Sequence, residues 1–472
     1  MICLLILFIY FVSFLDKPEK TVPQLSPRAM EQRAKWHIQT DEMDYPVSPM
    51  YLDSLRHMGV RVHHVSRWFN GATVEMSKTQ AAKVAALGFV TDVEMTRDNS
   101  TPIYSPKKRM RNEWMNGLDE TPIINYTDAQ LALYNMLPLH AAGFEGQGIL
   151  MTVCDGGFYN ANTLEGFRQE QELGHFDFTD DEDDFYGATG THGTECLSTI
   201  TGIRYKYRGA ATQAQYYLMR TEEDVTESPK EMDNLVAALE KADSLGVNVF
   251  SVSLGYAMFD NDDWTLDKST ELDGKSTRAS IAATIAARKG MLVCVAAGNE
   301  GNSAWRTISA PADADSVLTI GAVDVDSLIG DFSSYGPSSD GRIKPEVCAV
   351  GVRTILINPG DVVVTSNGTS FAAPLLAGLA ASLWSALPDE NAMQIRERII
   401  RSADRYNNPD MQQYGYGIPD AWEAYTMSLP EGINDPSLEN TTPSQVTKII
   451  RGDQVLIIRY GHIYNLAGQR IE

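Results

Sequence analysis

The sequence predicts an α/β protein: a doubly wound, mainly parallel sheet preceded by a small α+β unit. Three observations lead there. From residue 126 onward short apolar runs alternate with helical stretches, the pattern of βαβ units. Residues 16–100 carry a separate alternation of helices and strands. Between the two, residues 101–125 change character, with Pro102, Pro106 and the basic run Lys107-Lys108-Arg109-Met110-Arg111. At 472 residues and 43% hydrophobic content, the chain is long and apolar enough to bury two or three cores.

Residues 2–15 are apolar but shorter than a comfortable membrane span, and read either as a signal-peptide core or as an opening β-strand. Residues 46–58 suit a helix, and 60–66 and 68–76 suit two strands, with Asn70-Gly71 marking a bulge or bend in the second. Ser77 caps a helix running to residue 87, and 89–95 suit a last strand. His63 and His64 are adjacent, so a strand would aim them to opposite sides. No titratable constellation stands out in 16–100, which suits a folding or inhibitory module. The linker that follows reads as exposed, its basic run either a processing site or simply solvated.

The larger region, 126–429, carries the chemistry. Residues 149–154 form a buried strand that ends at Asp155-Gly156-Gly157. Residues 215–220 form another, followed by an amphipathic helix over 232–245, and 247–254, 291–297 and 317–323 continue the pattern. In open parallel sheets chemistry gathers outside the carboxyl ends of strands, where Asp155, Gly255 and Asn299 fall. His192-Gly193-Thr194 opens the apolar stretch 196–200, placing a histidine at a helix N-terminus. Asn367-Gly368-Thr369-Ser370-Phe371-Ala372-Ala373-Pro374 delivers Ser370 onto the first turn of a charge-free helix over 371–387. Pro374 is expected to be tolerated there because early helical N–H groups lack partners. Alone, Ser370 reads either as a helix cap or as a nucleophile over the positive end of the helix. An Asp, a His and a Ser in that order supply orienting acid, general base and nucleophile. A G-x-S-x-G elbow is absent, since Phe371-Ala372 follows the serine, which argues against an esterase of the α/β-hydrolase class.

At these residues the chain resembles the subtilisin-like serine proteases, the subtilases. Val153-Cys154-Asp155-Gly156-Gly157-Phe158 resembles the family's aspartate motif, with Gly156 where Ser or Thr is usual. His192-Gly193-Thr194-Glu195-Cys196 resembles the histidine motif, with Glu195 for the second His, and Gly368 to Pro374 resembles the serine motif, with Phe371 for the common Met. Ala296-Ala297-Gly298-Asn299-Glu300-Gly301 resembles the oxyanion motif, which implies that the Asn299 amide and the Ser370 N–H hold the oxyanion. Ser253-Leu254-Gly255 resembles the strand that pairs with an extended peptide, and Ala297 and Gly298 are implied to line the same groove. Phe332-Ser333-Ser334-Tyr335-Gly336-Pro337, Lys344-Pro345-Glu346 and Tyr416-Gly417-Ile418-Pro419 extend the likeness over 126–429.

The resemblance implies a serine endopeptidase for protein or peptide substrates, secreted, periplasmic or cell-surface, with no cofactor in its chemistry. A catalytically inactive subtilase fold used for binding is the alternative. Residues 71–93 resemble a subtilase propeptide, implying a ferredoxin-like module over 16–100 that inhibits intramolecularly until removed. The family's calcium loop is not carried over, since 201–209 is short and holds Arg204, Lys206 and Arg208, and Asp180-Asp181-Glu182-Asp183-Asp184 reads as a solvated loop or a calcium loop. Glu222-Glu223-Asp224 reads as a solvated loop or as a cleft feature favouring basic substrates.

A net charge of −23 argues against nucleic acid as a partner. The five cysteines, Cys3, Cys154, Cys196, Cys294 and Cys348, form no CxxC pair, which argues against metal clusters and for free buried thiols. No stable membrane span is expected. Residues 430–444 read as a linker, and 446–451, 454–460 and 463–466 as short strands with turns at Gly452-Asp453 and Gly468-Gln469. That tail faintly resembles the tails that direct some bacterial proteins to the cell surface, and reads equally as a structural add-on.

Overall fold

The computed structural model describes residues 7–19, 22–99, 127–179, 184–187, 190–223, 226–429, 447–451, 454–459 and 462–464. The linker with its basic run, Asp180 to Asp183, Asp224, the segment 430–446, both expected tail turns and Cys3 lie outside the described residues. The chain divides into two compact units, Met1–Leu429 and Pro430–Glu472.

The N-terminal region runs β1 (Phe8–Phe14), α1 (Pro27–Lys35), α2 (Pro49–His57), β2 (Arg61–Ser66), β3 (Gly71–Met76), α3 (Lys78–Ala85) and β4 (Val90–Arg97). Its four strands form an antiparallel sheet in the order β2-β3-β1-β4. Both faces of β1 are covered. Phe8, Tyr10, Val12 and Phe14 join the core beneath α2 and α3, whereas Ile9 and Phe11 are buried on the other side, with the Arg278 guanidinium 4.6 Å from the Phe11 ring. Burial on both faces explains why Phe8–Phe14 is almost wholly apolar rather than alternating.

The strand expected over 68–76 is shorter. Residues 67–70 make the turn between β2 and β3, with Asn70 at φ 45°, a conformation Asn tolerates, and the ladder irregularity falls instead between Val62 and His64 of β2. The helix expected from residue 46 begins at Pro49, whose fixed φ suits the first helical position. Ser77 and Gln80 form a reciprocal capping box at the start of α3.

The larger region continues with α4 (Asp128–Ala132), α5 (Met136–Ala141), β5 (Leu150–Asp155), β6 (Glu172–Asp177), α6 (His192–Thr201), the hairpin β7 (Ile203–Arg204) and β8 (Tyr207–Arg208), and β9 (Gln215–Arg220). Then come α7 (Lys230–Leu245), β10 (Val249–Val252), α8 (Arg278–Arg288), β11 (Leu292–Ala296), β12 (Leu318–Val323) and β13 (Val347–Val350). A second hairpin, β14 (Thr354–Ile357) and β15 (Val363–Ser366), precedes α9 (Thr369–Ala386), α10 (Ala392–Arg401) and α11 (Ala421–Thr426).

Seven strands form a parallel sheet in the order β13-β12-β11-β10-β5-β9-β6. Helices cover both faces, so alternate residues of a strand enter different cores. Met151 and Val153 of β5 pack on the side of α6 and α9, and Leu150 and Cys154 on the side of α7 and α8. α9 is long and apolar enough to cross a membrane by length and composition, yet 89% of that window is buried, as befits a helix that is hydrophobic all round. Cys154, Cys196, Cys294 and Cys348 are free and buried.

The basic residues of the β7–β8 hairpin serve as ties. Arg204 pairs with Glu165 and Asp361, and Arg208 with Glu145. In the second unit β16 (Thr447–Arg451), β17 (Gln454–Arg459) and β18 (His462–Tyr464) form an antiparallel meander.

Candidate active site

β10 lies between β5 and β11, with Val252 paired to Cys154 on one side and Val295 on the other. Three adjacent strand ends therefore bring Asp155, residues 253–255 and residues 297–299 to one edge of the sheet.

Asp155 is 1% exposed. Its Oδ1 accepts the Gly156 N–H at 2.8 Å, and its two oxygens lie 2.8 and 2.9 Å from His192 Nδ1. Gly156 thus contributes through its backbone. His192 is the first residue of α6, and Gly193 lets the helix come this close: a Cβ there would stand 2.5 Å from the Gly157 oxygen and 2.9 Å from Asp155 Cβ. Burial by itself would lower the His192 pKa, but the Asp155 charge and hydrogen bond outweigh it and hold the imidazolium well above its ordinary range. Glu195, on the same helix, is fully buried.

Ser370 is the second residue of α9. The cap position belongs to Gly368, whose φ of +155° suits glycine, and the hydrogen-bonding cap is supplied from elsewhere in the chain. Asn299 Oδ1 accepts the Thr369 N–H at 2.9 Å and its hydroxyl at 2.8 Å. Thr369 Oγ1 also accepts the Gly298 N–H at 3.2 Å, while Ser334 accepts the Glu300 N–H through Oγ and donates its N–H to the Gly298 oxygen. The Asn299 amide is thereby oriented, with Nδ2 3.5 Å from where a Gly368 Cβ would stand. Ser370 Oγ is buried and makes no hydrogen bond, so it is not engaged as a cap, and no hydrogen bond joins it to His192.

Pro374 is the sixth residue of α9, beyond the turn whose N–H groups are naturally unpaired, so the expected reason for its tolerance does not hold. It removes the bond that Ser370 O would otherwise accept. That carbonyl instead accepts from Ser253 Oγ at 2.8 Å and Cys196 Sγ at 3.2 Å.

Gly255 is exposed and Leu254 and Gly298 are half-buried, so these three reach solvent at this edge of the sheet. Ala297 does not: it is fully buried and donates its N–H to Ile320 O of β12. Ser253 is also buried and turned to Ser370. Of the acidic trio after β9, Glu223 is paired with Lys230 and Arg97, while Glu222 stands beside Gly156 and accepts the Tyr256 hydroxyl at 2.9 Å.

Sequence reasoning passed over Cys196, Thr369 and Ser334. Cys196 had a local signal, since it sits four residues after His192 and hence on the same face of α6. Ser334 lies in the stretch Phe332 to Pro337 that extends the family likeness, but its contacts to Gly298 and Glu300 are set by the tertiary fold. Two clusters of ligand-type side chains occur among the described residues, Asp155-His192-Cys196 and Glu222-Glu227-Glu231. In the first, burial pushes the Cys196 thiol up to about 11, leaving it neutral. In the second, Glu231 accepts the backbone N–H groups of Glu223 and Ser228.

Residues 146–417 match the subtilase family, and residues 9–115 match the peptidase S8 propeptide domain of Bacteroidota. Serine protease AprX of Bacillus subtilis strain 168 is 28% identical over 309 residues, which are 58% of this chain and 66% of AprX, just under two thirds. Subtilisin DY of Bacillus licheniformis is 28% identical over 284 residues, 59% of this chain and 92% of that protein. Among solved structures, MycP1 from Mycobacterium smegmatis aligns with a TM-score of 0.52 at 22% identity, covering 66% of this chain and 88% of that one. The MycP3 protease from the type VII (ESX-3) secretion system gives 0.52 at 21%, covering 67% and 92%. At these identities the structural likeness speaks for the fold. With a parallel sheet whose strand ends gather Asp155, residues 253–255 and Asn299, and with more than half its length matched, the chain belongs to the subtilase family and carries a peptidase S8 propeptide domain at its N-terminal end.

Proposed function

We propose that this protein is a serine endopeptidase made as a zymogen. The observation that carries the proposal is the His192–Asp155 pair, at 2.8 and 2.9 Å, with Cys196 Sγ 3.8 Å from His192 Nδ1 and 3.2 Å from the carbonyl of Ser370, whose hydroxyl no hydrogen bond engages. In the proposed reaction Ser370 Oγ attacks a peptide carbonyl while His192 Nε2 takes its proton and later delivers it to the leaving amine. Asp155 holds the ring by Nδ1 and stabilises the imidazolium. The developing oxyanion lies against the Asn299 amide and the Ser370 N–H, which belongs to a first helical turn and has no acceptor within the helix. These steps draw only on side chains and backbone, so no cofactor enters them.

The substrate is an extended polypeptide laid along residues 253–255 on one side and Gly298 on the other, in the manner of an added strand. Residues 16–100 act as the chain's own inhibitor until the linker is cut. We assign the active protein to the cell exterior, the periplasm or the cell surface. Support comes from AprX and the subtilisins as relatives.

A fluorophosphonate probe tests the proposal. Mature protein is expected to be labelled at Ser370, with labelling lost in Ser370→Ala and in His192→Ala. An unlabelled mature protein would favour the inactive, binding fold instead.

A further inference from the structure

Residues 22–45 leave the N-terminal sheet after β1 and return to it only at α2. No strand pairing requires this excursion. It runs along the opposite end of the catalytic body from Asp155 and Ser370. Ser26 donates its N–H to Ser244 O at 2.8 Å. Arg28 reaches Gly246 O at 3.1 Å, Gly148 O at 3.1 Å and Asn248 Oδ1 at 2.7 Å. These acceptors lie just before β5 and β10, at the amino ends of the strands whose carboxyl ends hold the candidate site. The length of β5, about 17 Å at ~3.3 Å per residue, separates the two.

The contact is buried and charged. Arg33, 6% exposed, places one nitrogen on both oxygens of Asp243 at 2.7 and 2.8 Å and another on Asp44 at 2.7 Å. Asp44, fully buried, also meets Lys289 of the body at 2.9 Å, and Lys289 pairs with Asp41 at 2.8 Å. Arg67 from the β2–β3 turn shares Asp243 at 2.6 Å. Truncating one member of such a desolvated pair leaves its partner buried and uncompensated, so these contacts govern dissociation.

We propose that residues 22–45 are a clamp, a second attachment that grips Asp243, Asn248 and Lys289 at the far end of the body and sets how long a severed N-terminal region stays bound. The partner of this surface is the excursion itself. A cut within 101–125 lies outside the clamp and leaves its contacts intact. The proposal rests on the zymogen reading, but its test does not need the protein to cut itself.

The test uses the full chain carrying Ser370→Ala and a recognition sequence for an unrelated protease inserted within 101–125. After that protease has cut, the N-terminal fragment is expected to co-elute with the body on gel filtration. Arg28→Ala, Asn248→Ala and Arg33→Met are each expected to speed its dissociation by about tenfold or more. Arg28→Ala together with Asn248→Ala is expected to do no more than Arg28→Ala alone, since that variant already removes the bond to Asn248 along with those to Gly246 O and Gly148 O. Arg28 is exposed, so its variant remains informative should Arg33→Met fail to fold, or should Asn248→Ala, which also takes the acceptor from the Leu150 N–H, perturb the body. A fragment that leaves at once on cutting, or variants that dissociate at the parent rate, would overturn the clamp. Failure of the probe to label unmodified protein would instead count against the enzyme, and the two failures are read in separate samples.

Discussion

The Ser253 hydroxyl donates to the carbonyl of Ser370 at 2.8 Å, so the end of β10 holds the serine segment through the backbone of the serine itself. Pro374 makes this possible by withholding the N–H that would have taken the same carbonyl. Ser253→Ala leaves a buried acceptor with only the Cys196 thiol. The expected cost is about 1–3 kcal/mol of stability, read as a lower unfolding midpoint, together with slower probe labelling of Ser370.

Proteolysis should depend on pH through His192. A protonated imidazole cannot accept the serine proton, so kcat/KM should rise with pH through a pKa above the ordinary ~6.5. Asp155→Asn should move that inflection down and lower kcat by about 10⁴. The same raised pKa gives His192 a stabilising contribution that is complete below its unfolded value and disappears as pH rises through the folded one.

Asn299 carries two tasks that substitutions separate. Asn299→Ala should lower kcat by about 10²–10³-fold with KM little changed, because it removes one oxyanion donor. Thr369→Val keeps that donor but removes the hydroxyl bonded to Asn299 Oδ1 and Gly298 N. A smaller loss in kcat is expected, measured with a chromogenic peptide.

Gly193→Ala tests the close approach of α6. Its new Cβ would press on the Gly157 oxygen and Asp155 Cβ. Overpacking of this kind costs about 1–3 kcal/mol, and the shift should disturb the His192–Asp155 pair, so both the unfolding midpoint and turnover should fall.

Ser370→Ala should leave the N-terminal region joined to the rest of the chain, whereas the parent chain separates within 101–125. Gel electrophoresis and N-terminal sequencing read this directly. Continued separation in purified Ser370→Ala protein would refute self-cleavage.

How much of this could be read beforehand varies with how local its causes are. Asp155, His192, Ser370 and Asn299 each sit at a strand end or helix start, and such termini leave marks in a few consecutive residues. Pro374 falls past the unpaired first N–H groups because α9 starts at Thr369, two residues earlier than the charge-free run suggests. α1 was passed over altogether. Arg33, Asp44 and Asp243 look like solvated charges in sequence, and only the pairing of residues some 200 positions apart buries them. Ala297 was expected at the substrate edge, but its N–H completes the ladder to β12.

Every strand of the seven-stranded sheet precedes Ser370 in chain order. A nascent chain therefore presents all seven strands before the hydroxyl that they position. The sheet also comes after the whole of β1 to β4, so the domain matched as a propeptide is already synthesised when α9 arrives. Synthesis from the N-terminus thus puts the guard in place before the weapon, with no separate timing device.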